Sequence, residues 1–238
     1  MNLKEISIAK DQTHHLYQGK PLYFQKFIWV LKFHPPGLAP VGDESGAYHI
    51  TLEGISAYKQ RYNRTFGYYY DCAAVVTNNG WTHINPTGNF IYNERYSWVG
   101  NFQDSCCTVR DSEGYYFHIN LLGERFYQEH YLYTGDFRDG ISVVRLESGL
   151  CTHIDSQGKF IHNKMFDDLD VYHKGFARAH EKQGWFHIDL NGNSVYTENY
   201  LMIEPYYNGQ SLVHRYNGDI GIINEQGKWI HTVWKKEK

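Results

Sequence analysis

The sequence is poor in the residue patterns that define several large classes of protein. Cysteine occurs 4 times and proline 6 times in 238 residues, so neither a disulfide framework nor a proline-rich segment organises the chain. No apolar run approaches the roughly 18 residues of a membrane-spanning helix, and residues 1–5 lack the apolar stretch of a secretory signal. A net charge of −3 is not the strongly basic balance of a general nucleic-acid binder. These absences predict a reduced, cytoplasmic protein that binds neither nucleic acid nor membrane.

Signals for helices and for familiar active sites are also missing. No segment keeps a 3.6-residue apolar period, and the chain has no phosphate-binding loop, dinucleotide fingerprint, nucleophile elbow or Cys-x-x-Cys pair. Hydrophobic residues nevertheless make up 42% of the chain and aromatic residues 17%. That composition suits a buried core built from β-strands.

One short motif recurs along nearly the whole chain at intervals of 34 or 35 residues. Its best copies read Gly-Trp-Thr-His-Ile-Asn at 80–85 and Gly-Trp-Phe-His-Ile-Asp at 184–189. The anchor positions are His14, His49, His83, His118, His153, His187 and, with isoleucine in the place of histidine, Ile222. A glycine follows each anchor at a fixed offset. Periods of about 20–50 residues indicate solenoids, propellers or arrays.

Each period contains four short segments that are typical of β-strands. In one copy they are a small-residue segment (72–76), the anchor segment (80–85), a third segment after the fixed glycine (89–92) and an aromatic fourth segment (96–102). Turn residues separate them, so antiparallel hairpins follow.

The sequence therefore predicts an all-β repeat protein of six to seven four-stranded units of about 35 residues, in a single domain over 1–238. A closed β-propeller is favoured because closure protects the sheet edges, and an open β-hairpin solenoid is the alternative. We expect the small-residue strand to line the axis. We also expect the seventh unit to be shared between the two chain ends, with an anchor and a third strand at the N-terminus.

The anchors resemble those of the bacterial WG-repeat family, whose units carry a small-residue strand, then Trp-Gly-Tyr-Ile-Asp, then a glycine turn. Here Trp81-Thr82-His83-Ile84-Asn85 occupies that motif, with threonine for glycine and histidine for tyrosine. The resemblance covers nearly the whole chain and implies a divergent branch of the family. It implies no catalytic residues.

Six histidines at one repeat position permit two interpretations. Imidazole is a common metal ligand, so a ring of histidines could hold an ion. A residue that recurs in every repeat is more often a packing and hydrogen-bonding device, and we favour that interpretation.

Two acidic residues depart from the repeat pattern. Where earlier copies have Gly100 and Gly135, the next two copies have Asp170 and Glu204. With His173, these carboxylates could act in acid–base catalysis, and His180 and His214 could complete a site for Fe, Mn or Zn.

Basic residues end the first strand of several copies. Arg110, Arg145, His180 and Arg215 recur at intervals of 35 residues, whereas the earlier copies are uncharged there. If that strand lines the axis, the four would form a one-sided cationic collar for phosphate or carboxylate groups.

These features lead to two hypotheses about function. The first is a cytoplasmic binding or scaffold protein with a funnel for a small anionic molecule or a protein partner. The second is a metal-assisted enzyme that acts on a small molecule through Asp170, His173 and Glu204. Fold alone does not decide between them.

Overall fold

The structure is a computed structural model that describes residues 1–103 and 105–236. It divides into two compact units, Met1–Arg125 and Phe126–Lys238. The boundary falls within a repeat rather than in a linker, so both units are built from the same motif. Among the described residues the helical structure is a single 3₁₀ turn at Leu3–Glu5.

The first unit holds four antiparallel sheets of three strands each within its described residues. Its strands are β1 Ile6–Ile8, β2 His15–Tyr17, β3 Lys20–Pro21, β4 Trp29–Val30, β5 Ala39–Asp43, β6 Gly46–Ile50, β7 Arg64–Tyr69, β8 Cys72–Thr77, β9 Gly80–Ile84, β10 Trp98–Val99, β11 Cys106–Arg110 and β12 Tyr116–Asn120.

The second unit holds two sheets of three strands and one sheet of four strands up to residue 236. Its strands are β13 Tyr133–Thr134, β14 Ile141–Arg145, β15 Cys151–Asp155, β16 Asp168–Leu169, β17 Ala177–Glu181, β18 Gly184–Ile188, β19 Met202–Ile203, β20 Gln210–His214, β21 Ile220–Asn224 and β22 Trp229–Trp234.

The strand order shows that each sheet combines segments from two successive sequence repeats. The aromatic fourth segment of one copy pairs with the small-residue strand of the next, as β10 pairs with β11. The small-residue strand then pairs with the anchor strand, as β11 pairs with β12. It is therefore the middle strand of its sheet. The expectation that it lines an axis as an innermost strand is wrong.

The third segment departs from the expectation of four strands per unit. In the middle copies it contributes isolated bridges, such as Ile84 to Phe90 and Ile154 to Phe160. Only at the two ends does it form strands, β3 and β22, within the described residues.

The first sheet is more complete than the sequence suggests. Residues 6–8 form β1, which pairs with β2 and places Ile8 opposite His15. The N-terminal copy thus has its own small-residue strand, and the described chain contains seven sheets. The expectation of an anchor-and-third-strand unit at the N-terminus was wrong because the short Ile-Ser-Ile run carries a weak strand signal.

The core explains why the motif repeats. In five copies the residue after the anchor histidine is a fully buried isoleucine, at Ile50, Ile84, Ile119, Ile154 and Ile188. Small side chains such as Ala39 and Ala73 face these residues from the middle strand without exposure to solvent. Close packing of this kind is most stable when residues of the same volume occupy the same position in each sheet. The predicted fold class, an all-β repeat protein of propeller type, is confirmed.

Candidate functional site

The anchor histidines are buried and hydrogen-bonded at both ring nitrogens. In His83, Nδ1 lies 2.6 Å from the hydroxyl of Tyr92 and Nε2 lies 2.9 Å from the carbonyl oxygen of Gly100. A carbonyl can only accept, so Nε2 carries the proton and Nδ1 accepts from the tyrosine. The ring thereby joins the anchor strand to two later segments of its own repeat.

The same bridge recurs along the chain. His49 contacts Tyr58 and the carbonyl of Phe66, and His187 contacts Tyr196 and the carbonyl of Glu204. In these copies both ring nitrogens are used within the protein, which favours the structural interpretation over a ring of metal ligands. Burial lowers the pKa of His49, His83, His153 and His187 to about 4, so the rings are neutral at neutral pH.

One copy replaces the tyrosine with a second histidine. His153 Nδ1 lies 3.0 Å from His162 Nε2, and His162 Nδ1 accepts a hydrogen bond from the backbone amide of Lys164. His153 Nε2 donates to the carbonyl of Asp170. These partners fix one tautomer for each ring. The substitution keeps the bridge with a different donor.

The first anchor lies one residue later than the sequence alignment places it. His15, not His14, is fully buried, and it contacts the hydroxyl of Tyr23 at 2.6 Å and the carbonyl of Leu31 at 2.8 Å. The His14 ring instead lies 3.0 Å from the hydroxyl of Thr13. The adjacent histidines share one sequence signal, and only the pairing register separates them.

The four residues of the predicted cationic collar are not equivalent. Arg110, Arg145 and His180 occupy the same position of the middle strand, opposite residues 116, 151 and 185 of their anchor strands. In the last sheet that position belongs to His214, opposite Ile220. Arg215 lies one residue further, where the strand has ended. Its inclusion in the collar was wrong because the last copy is one residue out of step.

Local partners already hold the two collar arginines. Arg110 Nε donates to the carbonyl of Gly114 at 3.2 Å. Arg145 donates to the carbonyl of Gly149 at 2.6 Å and forms a 3.2 Å ion pair with Asp168. Each guanidinium thus closes a turn of its own sheet. Anion binding by these residues stays a prediction.

The predicted catalytic residues have separate environments. The Asp170 carboxylate forms an ion pair with Arg178, whose Nη1 also donates to the carbonyl of Ile203 at 2.8 Å. The Glu204 side chain is exposed, and its backbone carbonyl serves the His187 bridge. The carbonyls of Gly100 and Asp170 make the same contact in their copies, so the departure at 170 adds an ion pair and the structure does not explain the departure at 204.

His173 differs from both carboxylates. Its ring packs 5.4 Å from that of Tyr207, and its Nε2 is buried without a hydrogen-bond partner. His180 packs on Trp185 at 5.1 Å. Among residues 1–103 and 105–236, no three His, Cys, Asp or Glu side chains lie where they could jointly hold a metal ion. A role for Asp170, His173 and Glu204 in catalysis, or for His180 and His214 in metal binding, stays a prediction.

A cleft that the sequence analysis did not identify lies in the first unit. It has a volume of about 460 Å³. Two turns form it, each joining a fourth segment to the next middle strand. It is lined by His34, Pro35, Tyr68, Tyr69, Tyr70 and Asp71, and we call it the aromatic cleft.

The turn at Tyr70 and Asp71 departs from the pattern of the later copies. Equivalent turns of the second unit end in a glycine with positive φ, at Gly140, Gly175 and Gly209. In the aromatic cleft, Asp71 takes the glycine position with a φ of 55°. Tyr70, with a φ of 54°, stands where those turns have Asp139, Lys174 and Asn208, which also adopt positive φ. This conformation is unfavourable for a bulky side chain. The fold does not require tyrosine here, so the residue is a candidate for function.

Packing holds the rings of the aromatic cleft in place. The His34 and Tyr69 rings lie 5.0 Å apart and are inclined by 57°. Gly67 permits this contact, because a Cβ atom there would lie 2.4 Å from His34 Nε2. Behind them, the buried Tyr68 packs 4.5 Å from His49 and donates to the carbonyl of Asn85. The floor of the cleft is thus continuous with the histidine network, whereas Tyr69 and Tyr70 are 43% and 56% exposed.

Comparisons with known proteins bear on the fold alone. No family model matches the chain, and no curated protein matches it. The computationally designed Ika8 protein is similar in structure, with a TM-score of 0.51 and 11% identity over 95% of this chain and 82% of that chain.

Two natural proteins are also similar in structure. BamB from Moraxella catarrhalis has a TM-score of 0.49 and 12% identity over 98% of this chain and 86% of its own. The C-terminal WD40 domain of Sif2 has a TM-score of 0.44 and 11% identity over 81% of this chain and 68% of its own.

In the described part of the chain, no helix has the length and apolar character needed to cross a membrane.

Proposed function

We propose that this chain is a binding module, and that its aromatic cleft recognises a short extended segment of a partner protein. The observation that carries the proposal is the cleft itself, in which the exposed rings of Tyr69 and Tyr70 flank His34. Tyrosine is enriched at the centres of protein interfaces because its ring gives a large contact area at a low entropic cost.

The conformation of the turn supports the same proposal. A glycine or asparagine at position 70 would adopt the positive φ with less strain, yet the chain has tyrosine there. A strained residue that projects a large side chain into a cleft is more easily explained by recognition than by folding. The repeat scaffold supplies a rigid base, since Tyr68 anchors the turn to Asn85 and His49.

We place this binding in the reducing cytoplasm. All four cysteines, Cys72, Cys106, Cys107 and Cys151, are buried and none forms a disulfide, as expected for a chain that is not held together by disulfides. The proposal leaves the WG-repeat resemblance as an expectation about ancestry.

A selection from a random library of 12-residue peptides displayed on phage tests the proposal. The selected peptides are measured against the wild type, a Tyr69→Ala/Tyr70→Ala double variant, and Tyr133→Ala as a matched control. Tyr133 is 50% exposed on β13 and lies outside the cleft.

We expect the selected peptides to bind the double variant at least about tenfold more weakly and to bind Tyr133→Ala as they bind the wild type. Equal affinities for the wild type and the double variant, or no enrichment at all, would contradict the proposal. Thermal unfolding of each variant confirms that the fold is intact.

A further inference from the structure

The shape of the aromatic cleft restricts the conformation of a bound segment. Tyr70 and Asp71 form the tip of a tight hairpin, because Tyr69 pairs with Cys72. A hairpin tip offers no run of unpaired backbone groups, so a ligand cannot add there as a further β-strand. Recognition at this place must come from side-chain rings and hydroxyls.

Inclined aromatic rings are suited to proline. The His34 and Tyr69 rings pack against each other at 57° and give the cleft two adjoining aromatic surfaces, and the Pro35 ring adds a third apolar wall. Pro-rich segments dock in aromatic-lined grooves because the polyproline II helix is already extended and loses little entropy on binding. Its carbonyl groups make no internal hydrogen bonds, so hydroxyl donors such as those of Tyr69 and Tyr70 can reach them.

Charge gives the bound segment a direction. Asp71 is exposed at one side of the cleft, and among the described residues no ion pair involves it. A basic residue of the ligand is therefore attracted to the Asp71 side of the cleft.

We propose that the aromatic cleft binds a proline-containing segment in the polyproline II conformation, with a basic residue seated beside Asp71. This inference rests on the proposed function and narrows it to one class of peptide. The volume of about 460 Å³ lies within the range of pockets that hold small ligands, so the contact covers a few residues of the segment.

Fluorescence anisotropy with labelled peptides tests the inference. The main probe is octaproline followed by arginine. One control probe has the prolines replaced by alternating glycine and serine, and another has the arginine replaced by glutamate. Each probe is titrated with the wild type, the Tyr69→Ala/Tyr70→Ala variant, Asp71→Asn and Tyr133→Ala. Cellohexaose is added as a competitor, since sugar rings also stack on tyrosine.

We expect the proline–arginine probe to bind the wild type and Tyr133→Ala, and to bind the double variant at least about tenfold more weakly. Asp71→Asn should weaken binding of the arginine probe, whereas binding of the glutamate probe should not become weaker. Binding of the glycine–serine probe as tightly as the proline probe would overturn the inference, as would displacement by cellohexaose.

The two proposals can fail separately. If peptides from the random library need Tyr69 and Tyr70 but contain no proline, and the octaproline probe does not bind, the inference is wrong and the proposed function stands. If neither the library nor the probe yields binding that depends on these tyrosines, both are wrong.

Discussion

The Nδ1 atom of His83 lies 2.6 Å from the hydroxyl oxygen of Tyr92, nine residues later in the same repeat. The pair is buried, and the other ring nitrogen reaches the carbonyl of Gly100. This arrangement explains why histidine recurs at the anchor position, because no other uncharged ring has an acceptor and a donor on opposite sides. The repeat motif is therefore the mark of a hydrogen-bond network that ties the segments of each period together.

Removing this bridge should destabilise the protein strongly. His83→Phe keeps a ring but leaves the hydroxyl of Tyr92 and the carbonyl of Gly100 without a partner. We expect the free energy of unfolding to fall by about 2–4 kcal/mol, since two buried polar groups lose their hydrogen bonds. Urea unfolding measures the change. His231→Phe, at an exposed position of β22, is the control and should change stability by less than about 0.5 kcal/mol. Equal effects at both positions would contradict the structural role.

The register of the first repeat can be tested with two adjacent residues. His15→Ala should lower the free energy of unfolding by about 2–4 kcal/mol, because Tyr23 and the carbonyl of Leu31 lose their partner in the core. His14→Ala should cost less than about 1 kcal/mol, since its contacts are with the part-buried Thr13 and the exposed Asp11 and leave no fully buried polar group without a partner. Thermal and urea unfolding of the two variants give the comparison. A larger loss for His14→Ala would mean that the sequence alignment, not the structure, has the correct anchor.

The buried histidines predict a loss of stability in mild acid. Above pH 6.5 they are neutral in the folded and unfolded chain. Burial lowers the pKa of His49, His83, His153 and His187 in the folded chain to about 4. Between pH 6.5 and about 4 these histidines are therefore protonated in the unfolded chain and neutral in the folded chain. Stability therefore falls as the pH falls through this window and levels off below it.

The expected size follows from about 1.4 kcal/mol per pKa unit for each group. At pH 5.5 the four histidines together cost about 5 kcal/mol relative to pH 7.5. Urea unfolding at pH 7.5, 6.5 and 5.5 measures this dependence. Carboxylates with lowered pKa values, such as Asp43 and Asp189, act at lower pH and do not obscure it. A free energy of unfolding that is the same at pH 7.5 and 5.5 would show that the rings are not neutral and buried.

The two carboxylates at the disturbed repeat positions should behave differently. Asp170→Asn removes the charge that balances Arg178, so we expect a loss of about 1–3 kcal/mol of stability from this partly buried pair. Glu204→Gln changes an exposed side chain and should have almost no effect. A double-mutant cycle with Arg178→Met separates the pair from its surroundings. Metal bound to the wild type and lost in both variants would revive the metal-assisted interpretation.

The sequence carries much of the fold and little of the candidate site. The period of 34–35 residues, the buried isoleucines after each anchor and the glycine turns depend on local residue types, so periodicity is enough to predict the sheets. The predictions for His14 and Arg215 were each wrong by one residue. In both cases the neighbouring residue occupies the repeat position, and only strand pairing fixes which of the two does so.

The aromatic cleft depends on a contact between residues 34 and 69, which the sequence does not bring together. A signal was nevertheless present. The turn at 70–71 lacks the glycine of the turns at 139–140, 174–175 and 208–209. Aspartate stands at the glycine position, and tyrosine stands where the other turns have aspartate, lysine or asparagine. The tyrosine has meaning only once the positive φ of Tyr70 is known, because tyrosine in an ordinary loop is common.

The affinity of a peptide from the random-library selection for a Tyr70→Asn variant tests the central claim most directly. Asparagine tolerates the positive φ at this position better than tyrosine does, so the variant should fold at least as stably as the wild type. Any loss of binding then comes from the missing ring and not from damage to the fold. We predict that the variant unfolds at an equal or higher urea concentration and binds the peptide about tenfold more weakly. Unchanged affinity in this variant would contradict the assignment of the aromatic cleft as the binding site.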